Sequence, residues 1–265
     1  MRVLFISANT EKINLLPMPL GLAYVAAAAQ NKGHDVRVLD LMAQPDSRLP
    51  IRDMVQSFRP DVIGISVRNI DDQNMTGPKF LLDAVRNIVL YCRSVSDAVL
   101  VLGGAGFSIF PDAVLNYLEA DMGIEGEGEG AFPELLDRLT RRADLAGTPG
   151  LHLKGRGLQG KRVFVRNLDR LPVAGVERFL SAYDGDLWIP FQTRRGCPMN
   201  CSYCSTAAIE GRIIRKRSPE AALREMNAFA AAGFDRFYFV DNTFNLPPTY
   251  AKEICRLIIR QGLKI

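Results

Sequence analysis

The sequence predicts an α/β chain: a doubly wound parallel sheet first, then the opening β/α units of a second layered unit. Three observations carry this. Short runs that are apolar throughout alternate with stretches of helical period over the first 142 residues. Strands of that kind are buried on both faces, as in a parallel sheet covered by helices. The same rhythm resumes near residue 187 after a glycine- and arginine-rich interruption.

Val3-Leu4-Phe5-Ile6 is the first strand, and residues 19–31 form an alanine-rich helix that Gly33 stops. Residues 36–39 make the second strand, and 51–58 a short helix with apolar positions 51, 54, 55 and 58. A strand at 62–67, a helix at 78–91 and a strand at 99–102 follow, the last running into Gly103-Gly104-Ala105-Gly106. A helix at 111–118, a short strand at 122–124 and a helix at 131–142 complete this unit. Right-handed crossovers make it doubly wound.

Residues 146–186 read as a small hairpin, with 151–153 and 163–165 flanking a glycine turn, and a connector. The expected organisation is therefore 1–145, 146–186 and 187–265. The third part holds a strand at 187–193, a cysteine loop, a helix opened by Ser218-Pro219-Glu220, a strand at 237–240 and a helix at 248–260. Two β/α units cannot close a barrel. The chain ends at 263–265, where a third strand is due, so it reads as a truncated product whose sheet edge lacks a partner.

At 265 residues and 48% apolar content, the chain builds ordinary cores. Its net charge of +4 is weak evidence for an anionic substrate and argues little for nucleic acid. No apolar run is long enough to cross a bilayer, and the N-terminus lacks a signal-peptide cleavage site. Five cysteines, three of them within eight residues, indicate a metal or redox site in a reducing, cytoplasmic setting.

Those three are Cys197, Cys201 and Cys204, in Arg195-Gly196-Cys197-Pro198-Met199-Asn200-Cys201-Ser202-Tyr203-Cys204. Thiolates are soft ligands for iron or zinc. A structural zinc site wants a fourth Cys or His nearby, and His152 and His34 are both remote in sequence. Three thiolates on a four-iron cluster leave one iron open for an exchangeable ligand, through which a single electron can pass. Zinc, or inert cysteines, are the alternatives.

The spacing Cys-x3-Cys-x-aromatic-Cys, with Tyr203 as the aromatic, resembles the radical S-adenosylmethionine superfamily. The resemblance implies a [4Fe-4S] cluster on Cys197, Cys201 and Cys204, with S-adenosyl-L-methionine on the open iron and Tyr203 among the cofactor-binding residues. It also implies cleavage to a 5′-deoxyadenosyl radical. The family's Gly-Gly-Glu motif is absent, and Phe239-Val240-Asp241-Asn242 stands in its place. By resemblance Asp241 and Asn242 contact S-adenosylmethionine; on their own chemistry they equally cap the next turn.

In the N-terminal unit, Leu16-Pro17-Met18-Pro19-Leu20-Gly21-Leu22, Leu102-Gly103-Gly104 and Glu125-Gly126-Glu127-Gly128-Glu129 resemble the cobalamin-binding domain of one branch of that superfamily. The implied cofactor-binding residues are Ser66, Gly103, Gly104, Glu125, Gly126 and Glu127, at the carboxyl ends of strands where ligands bind in open α/β sheets. The glutamates alternatively cap the following helix. Neither Gly-x-Gly-x-x-Gly after the first strand nor a phosphate-binding loop is present, so NAD and ATP lack support. Asp-x-His-x-x-Gly, which supplies a lower cobalt ligand in many cobalamin proteins, is also missing, and His34 reads as a surface or turn residue.

Arg194, Arg195, Arg212, Arg215, Lys216 and Arg217 bracket the cysteine loop. They either steer an anionic group or form a solvated rim, with Lys216 and Arg217 assigned to the rim. The resemblance implies a cobalamin-dependent radical S-adenosylmethionine methyltransferase, a small-molecule or natural-product substrate and an electron donor such as flavodoxin or ferredoxin. A radical enzyme without cobalamin and a non-catalytic binding fragment are the alternatives.

Overall fold

The computed structural model describes residues 1–11, 18–42, 44, 46–175 and 188–264. Leu16, Pro17 and Leu187, and residues 176–186 of the expected connector, lie outside the described residues.

The N-terminal elements are β1 (Arg2–Ser7), α1 (Leu20–Asn31), β2 (Asp35–Asp40), α2 (Arg48–Phe58), β3 (Val62–Ser66), α3 (Leu82–Val95), β4 (Val99–Gly103), α4 (Ala105–Ile109), α5 (Pro111–Leu118), β5 (Met122–Ile124) and α6 (Gly128–Arg141). The sheet order is β2-β1-β3-β4-β5, all parallel. The switch point lies between β1 and β3, where crossovers leave to opposite faces and a crevice opens beyond the strand ends. Gly33, at φ +84°, lies just beyond α1 and follows its C-cap, as the sequence led us to expect.

Two strands of the 146–186 region extend this sheet. β6 (Leu151–Leu153) pairs antiparallel with β5, and β7 (Gly157–Leu158) pairs with β6. The expected hairpin partner, 163–165, forms no strand, and Val163 is exposed. The tight turn at Gly155 closes the ladder within a few residues, so the later apolar run is not needed.

The third region contains β8 (Ile189–Phe191), β9 (Arg194–Arg195), α7 (Thr206–Glu210), β10 (Arg215–Lys216), α8 (Pro219–Ala231), β11 (Phe237–Phe239) and α9 (Pro248–Gln261). β8 and β11 are parallel neighbours, the expected β/α arrangement. β9 and β10 form a small antiparallel ladder across the cysteine loop, which periodicity does not foretell because each strand is two residues long. Ser218 caps α8 through its Oγ, which accepts from the Ala221 amide at 3.2 Å.

One apolar core joins the two halves. It runs from Phe5 and Phe132 on one sheet face, through α1, to Ile189, Phe191, Leu223, Met226 and Phe229. A second core, on the other sheet face, packs β1, β3 and β4 against α2, α3 and α5. The cysteine-bearing region is thereby packed against the face carrying α1 and α6.

Candidate functional site

A cleft of about 350 Å³ opens at the carboxyl ends of β1, β3 and β4. Its floor includes Ser7, Asn9, Ser66, Gly103 and Gly104; Gly126, Glu127, Gly128 and Glu129 form one wall. Pro190, Gln192, Arg195, Ile209, Glu210, Tyr238 and Val240, all from the third region, close it. Gly104 holds φ +96°, and a Cβ there would stand 2.5 Å from the Val67 carbonyl oxygen, so the turn after β4 requires glycine. Gly103 differs: a Cβ would meet only the Ile124 carbonyl oxygen, at 3.9 Å. Its missing side chain leaves cleft volume that the protein does not fill.

Of the N-terminal residues expected to bind a cofactor, Ser66, Gly103, Gly104, Gly126 and Glu127 line this cleft. Glu125 does not. Its carboxylate pairs with Arg162 at 2.9 Å and faces His152 Nε2 at 3.3 Å, while Asp112 faces His152 Nδ1 at 2.8 Å. Glu125 points away from the cleft because the carbonyl of Gly150 binds its backbone N–H, tying it to the antiparallel edge.

The cysteine loop lies next to the cleft in sequence and in space. Cys197 is buried, whereas Cys201 and Cys204 are exposed, and all three are free thiols. Its two ends are tied together by a polar chain. Cys204 Sγ is hydrogen-bonded to Thr206 Oγ1 at 3.3 Å, and Thr206 Oγ1 to Asn242 Oδ1 at 3.2 Å. Asn242 Nδ2 donates to Glu210 Oε2 at 2.7 Å, and the same oxygen accepts the Gly196 amide at 2.9 Å. Gly196 holds φ +87° with a Cβ position 2.2 Å from the Ile213 carbonyl oxygen, so no side chain fits just before Cys197. As hydrogen-bond partners of the sulfur, the Thr206 side chain and backbone hold the Cys204 thiol below its ordinary range. Burial pushes Glu210 above the ordinary carboxylate range, against the opposing Gly196 bond. Tyr203, at the loop tip, is 89% exposed. Among the described residues, no three His, Cys, Asp or Glu side chains converge on a single metal-ion position.

Asp241 does not face the cleft. Its buried carboxylate accepts from the Thr193 amide at 2.7 Å, from the Thr193 hydroxyl and from the Arg194 amide at 3.0 Å. It locks the end of β11 to the strand that leads into the cysteine loop. Asn242 spends both ends of its amide on α7, at Thr206 and Glu210.

Arg212 is exposed and donates to Asn200 Oδ1 at 3.0 Å, but the other arginines depart from a solvated rim. Arg194 is 1% exposed; its guanidinium donates to the Phe244 and Leu246 carbonyls and lies 4.7 Å from the Tyr250 ring centroid. Arg217, expected on the rim, is buried, pairs with Glu225 at 2.6 Å and donates to Tyr24 Oη at 2.8 Å. Burial and the Glu225 charge push the Tyr24 phenol well above its ordinary value, keeping it a neutral partner. Arg195 pairs with Glu129 at 2.7 Å and Glu127 at 3.6 Å, and Arg215 with Glu127 at 2.6 Å. Burial opposes the Arg195 charge, but the two glutamates outweigh it. Lys216 matches its expected exposure, 5.0 Å above the Tyr250 ring. His34 occupies a turn but is buried, its Nδ1 3.4 Å from the N-terminal amine and its Nε2 4.0 Å from Asp137, because the α1–β2 turn folds beneath Met1.

Glu210, Gln192 and Tyr238 are cleft residues that the sequence reading missed. Tyr238 was accessible to it: Phe237 and Phe239 both pack on Phe191, so strand alternation turns Tyr238 to the opposite face. Nothing local marks Glu210.

Comparison with known proteins agrees with this architecture. Residues 6–136 match the B12 binding domain family, and residues 191–265 match the radical SAM superfamily. An uncharacterized methyltransferase of Pyrococcus horikoshii is 28% identical over all of this chain and 58% of its own length. The hopanoid C-3 methylase of Methylococcus capsulatus is 29% identical over 96% of this chain and 48% of its own. The radical S-adenosylmethionine methyltransferase TsrM of Kitasatospora setae, solved with cobalamin and a [4Fe-4S] cluster, superposes with a TM-score of 0.86. That match is at 26% identity and covers 98% of this chain and 51% of TsrM. The chain thus spans about half the length of the relatives it matches. With a B12-type cleft and a radical-type cysteine loop packed on one core, this chain joins a region of the B12 binding domain family to a region of the radical SAM superfamily.

Proposed function

We propose that the protein takes part in cobalamin-dependent radical methyl transfer to an unreactive carbon of a small molecule. The observation that carries this reading is the shared wall: Arg195, Gln192, Glu210 and Tyr238, around the cysteine loop, close the cleft at the strand ends. TsrM has also been solved with tryptophan and an S-adenosylmethionine analogue, which supports a small-molecule substrate for the present chain.

The residues fit the two groups the family implies. Cys197, Cys201 and Cys204 provide three soft donors, and Thr206 holds the Cys204 thiol below its ordinary range. The cleft offers the unfilled space at Gly103 and the Ser66 hydroxyl. Glu129 adds a buried Oε2 that has no hydrogen-bond partner, an acceptor for an amide or hydroxyl donor. A bound [4Fe-4S] cluster would supply one-electron reduction of S-adenosylmethionine, and bound cobalamin a methyl carrier.

The chain's own residues hold and shield. Glu210 and Asn242 fix both ends of the cysteine loop, and Asp241 fixes the strand entering it. Pro190, Ile209 and Val240 exclude water from the shared wall. An electron donor of the flavodoxin or ferredoxin class and S-adenosylmethionine are the partners this reading requires.

Anaerobic reconstitution with iron and sulfide is expected to give broad visible absorbance that Cys201→Ala abolishes. Hydroxocobalamin is expected to remain with the protein through gel filtration, with deoxyadenosine formed on adding reductant and S-adenosylmethionine. Full iron content in Cys201→Ala overturns the cluster assignment. Deoxyadenosine formation without cobalamin retention reassigns the protein to radical chemistry lacking cobalamin.

A further inference from the structure

Consecutive residues at the entry to the cysteine loop are gripped by acids that line the cleft. Glu129 and Glu127 hold the Arg195 guanidinium, and Glu210 accepts the Gly196 amide. Cys197 then follows, its own amide bound to the Gly211 carbonyl at 3.0 Å. Glu127 also pairs with Arg215 on the strand opposite Arg195 and accepts the Val165 amide at 2.6 Å. The side chains of Glu127, Glu129 and Arg195 are each about 6% exposed. In such surroundings, moving one charge without its partner is costly, so the group moves as a unit.

Glu129 bonds Arg195 through Oε1 only. Its Oε2 is buried and has no hydrogen-bond partner. Glu129 itself lines the cleft, and an unsatisfied buried acceptor carries a penalty that a ligand donor reaching it from the cleft would remove. Satisfying it would fix the Glu129 carboxylate, and through it Arg195, two residues before Cys197.

We propose that Glu129, Glu127 and Arg195 are positioning residues that couple occupancy of the cleft to the arrangement of the cysteine loop. A ligand presenting N–H or O–H donors to Glu129 then binds more tightly when the loop carries its cluster, and the converse holds by linkage. This inference rests on the functional reading above for the identity of the two ligands.

The test measures hydroxocobalamin affinity by equilibrium dialysis in the iron-loaded chain, in the iron-chelated chain and in a Cys197→Ala/Cys201→Ala/Cys204→Ala variant. The wild-type chain is expected to bind about fivefold or more tightly when iron-loaded, the usual lower range of such couplings. In Glu129→Gln and in Arg195→Lys, both ligands still load, but the ratio falls to within about twofold of unity. A merely structural role would lower both affinities and preserve the ratio. Should Arg195→Lys take up no iron, Glu129→Gln, remote from the thiols in sequence, decides the matter. A wild-type ratio of one, or an unchanged ratio in Glu129→Gln, overturns the coupling and leaves the functional reading standing. Failure of the wild-type chain to bind hydroxocobalamin in either state removes both.

Discussion

The N-terminal sheet and the cysteine-bearing region meet in one core, yet they are held together by different physics. Ile63, Ile65, Leu100 and Leu102 sit in strands buried on both faces, where stability comes from apolar area and close packing. Around the cysteine loop the strands are two or three residues long and cannot bury much. There the backbone is pinned by buried charges: Arg194 with Asp241, Arg195 with Glu127 and Glu129, and Arg217 with Glu225. Burying an ion pair is no large source of stability, but removing one partner strands the other. A region built this way trades tolerance to mutation for fixed geometry at its loop.

Four measurements sharpen or break that contrast. Arg194→Met should cost most, about 3–5 kcal/mol in urea unfolding, since it leaves the Asp241 carboxylate and two carbonyls buried without their cation. A cost below about 1 kcal/mol would mean that the buried charges do not hold this region. On the other side, Ile63→Ala should cost about 2–5 kcal/mol with no change in iron uptake, as expected of a cavity far from the thiols. Loss of iron uptake in that variant would show that the two regions are less separable than their packing implies.

Ser218→Ala should cost about 1 kcal/mol by removing the cap of α8, and thermal unfolding reads it directly. The smallest effect concerns His34. Burial, and then the neighbouring N-terminal ammonium, hold its imidazole below the ordinary value. The unfolded chain therefore takes up the proton first as pH falls through about 6.5. The stability it contributes is present above that pH and is lost as pH drops through the depressed folded value. His34→Asn should flatten the decline in unfolding free energy between about pH 7.5 and 5.5 by under about 1 kcal/mol. An unchanged slope would place the acid sensitivity elsewhere.

Much of this site was legible in the linear sequence, and the misses share a cause. Cys197, Cys201 and Cys204 are close in sequence, so spacing alone gathers them in one loop. Ser66, Gly103, Gly104, Gly126 and Glu127 were readable because parallel strands present their carboxyl ends along one edge. The buried partners of Asp241 and Arg217 were not legible, because a polar residue beside a loop looks the same whether it faces solvent, a ligand or a buried partner. Glu225, which claims Arg217, lies on α8 inside an apolar pattern that gives no sign of a buried carboxylate.

Apolar periodicity therefore determined the sheet, its helices and the direction in which its strands end, since burial on two faces demands those patterns locally. Short thiol spacing likewise determined the cysteine loop. Only the tertiary structure decided which charges are buried, which acids grip Arg195 and Gly196, and that the cleft is closed by residues around the thiols. Those contacts join segments far apart in the chain, and a charge acquires its partner only when folding removes it from water.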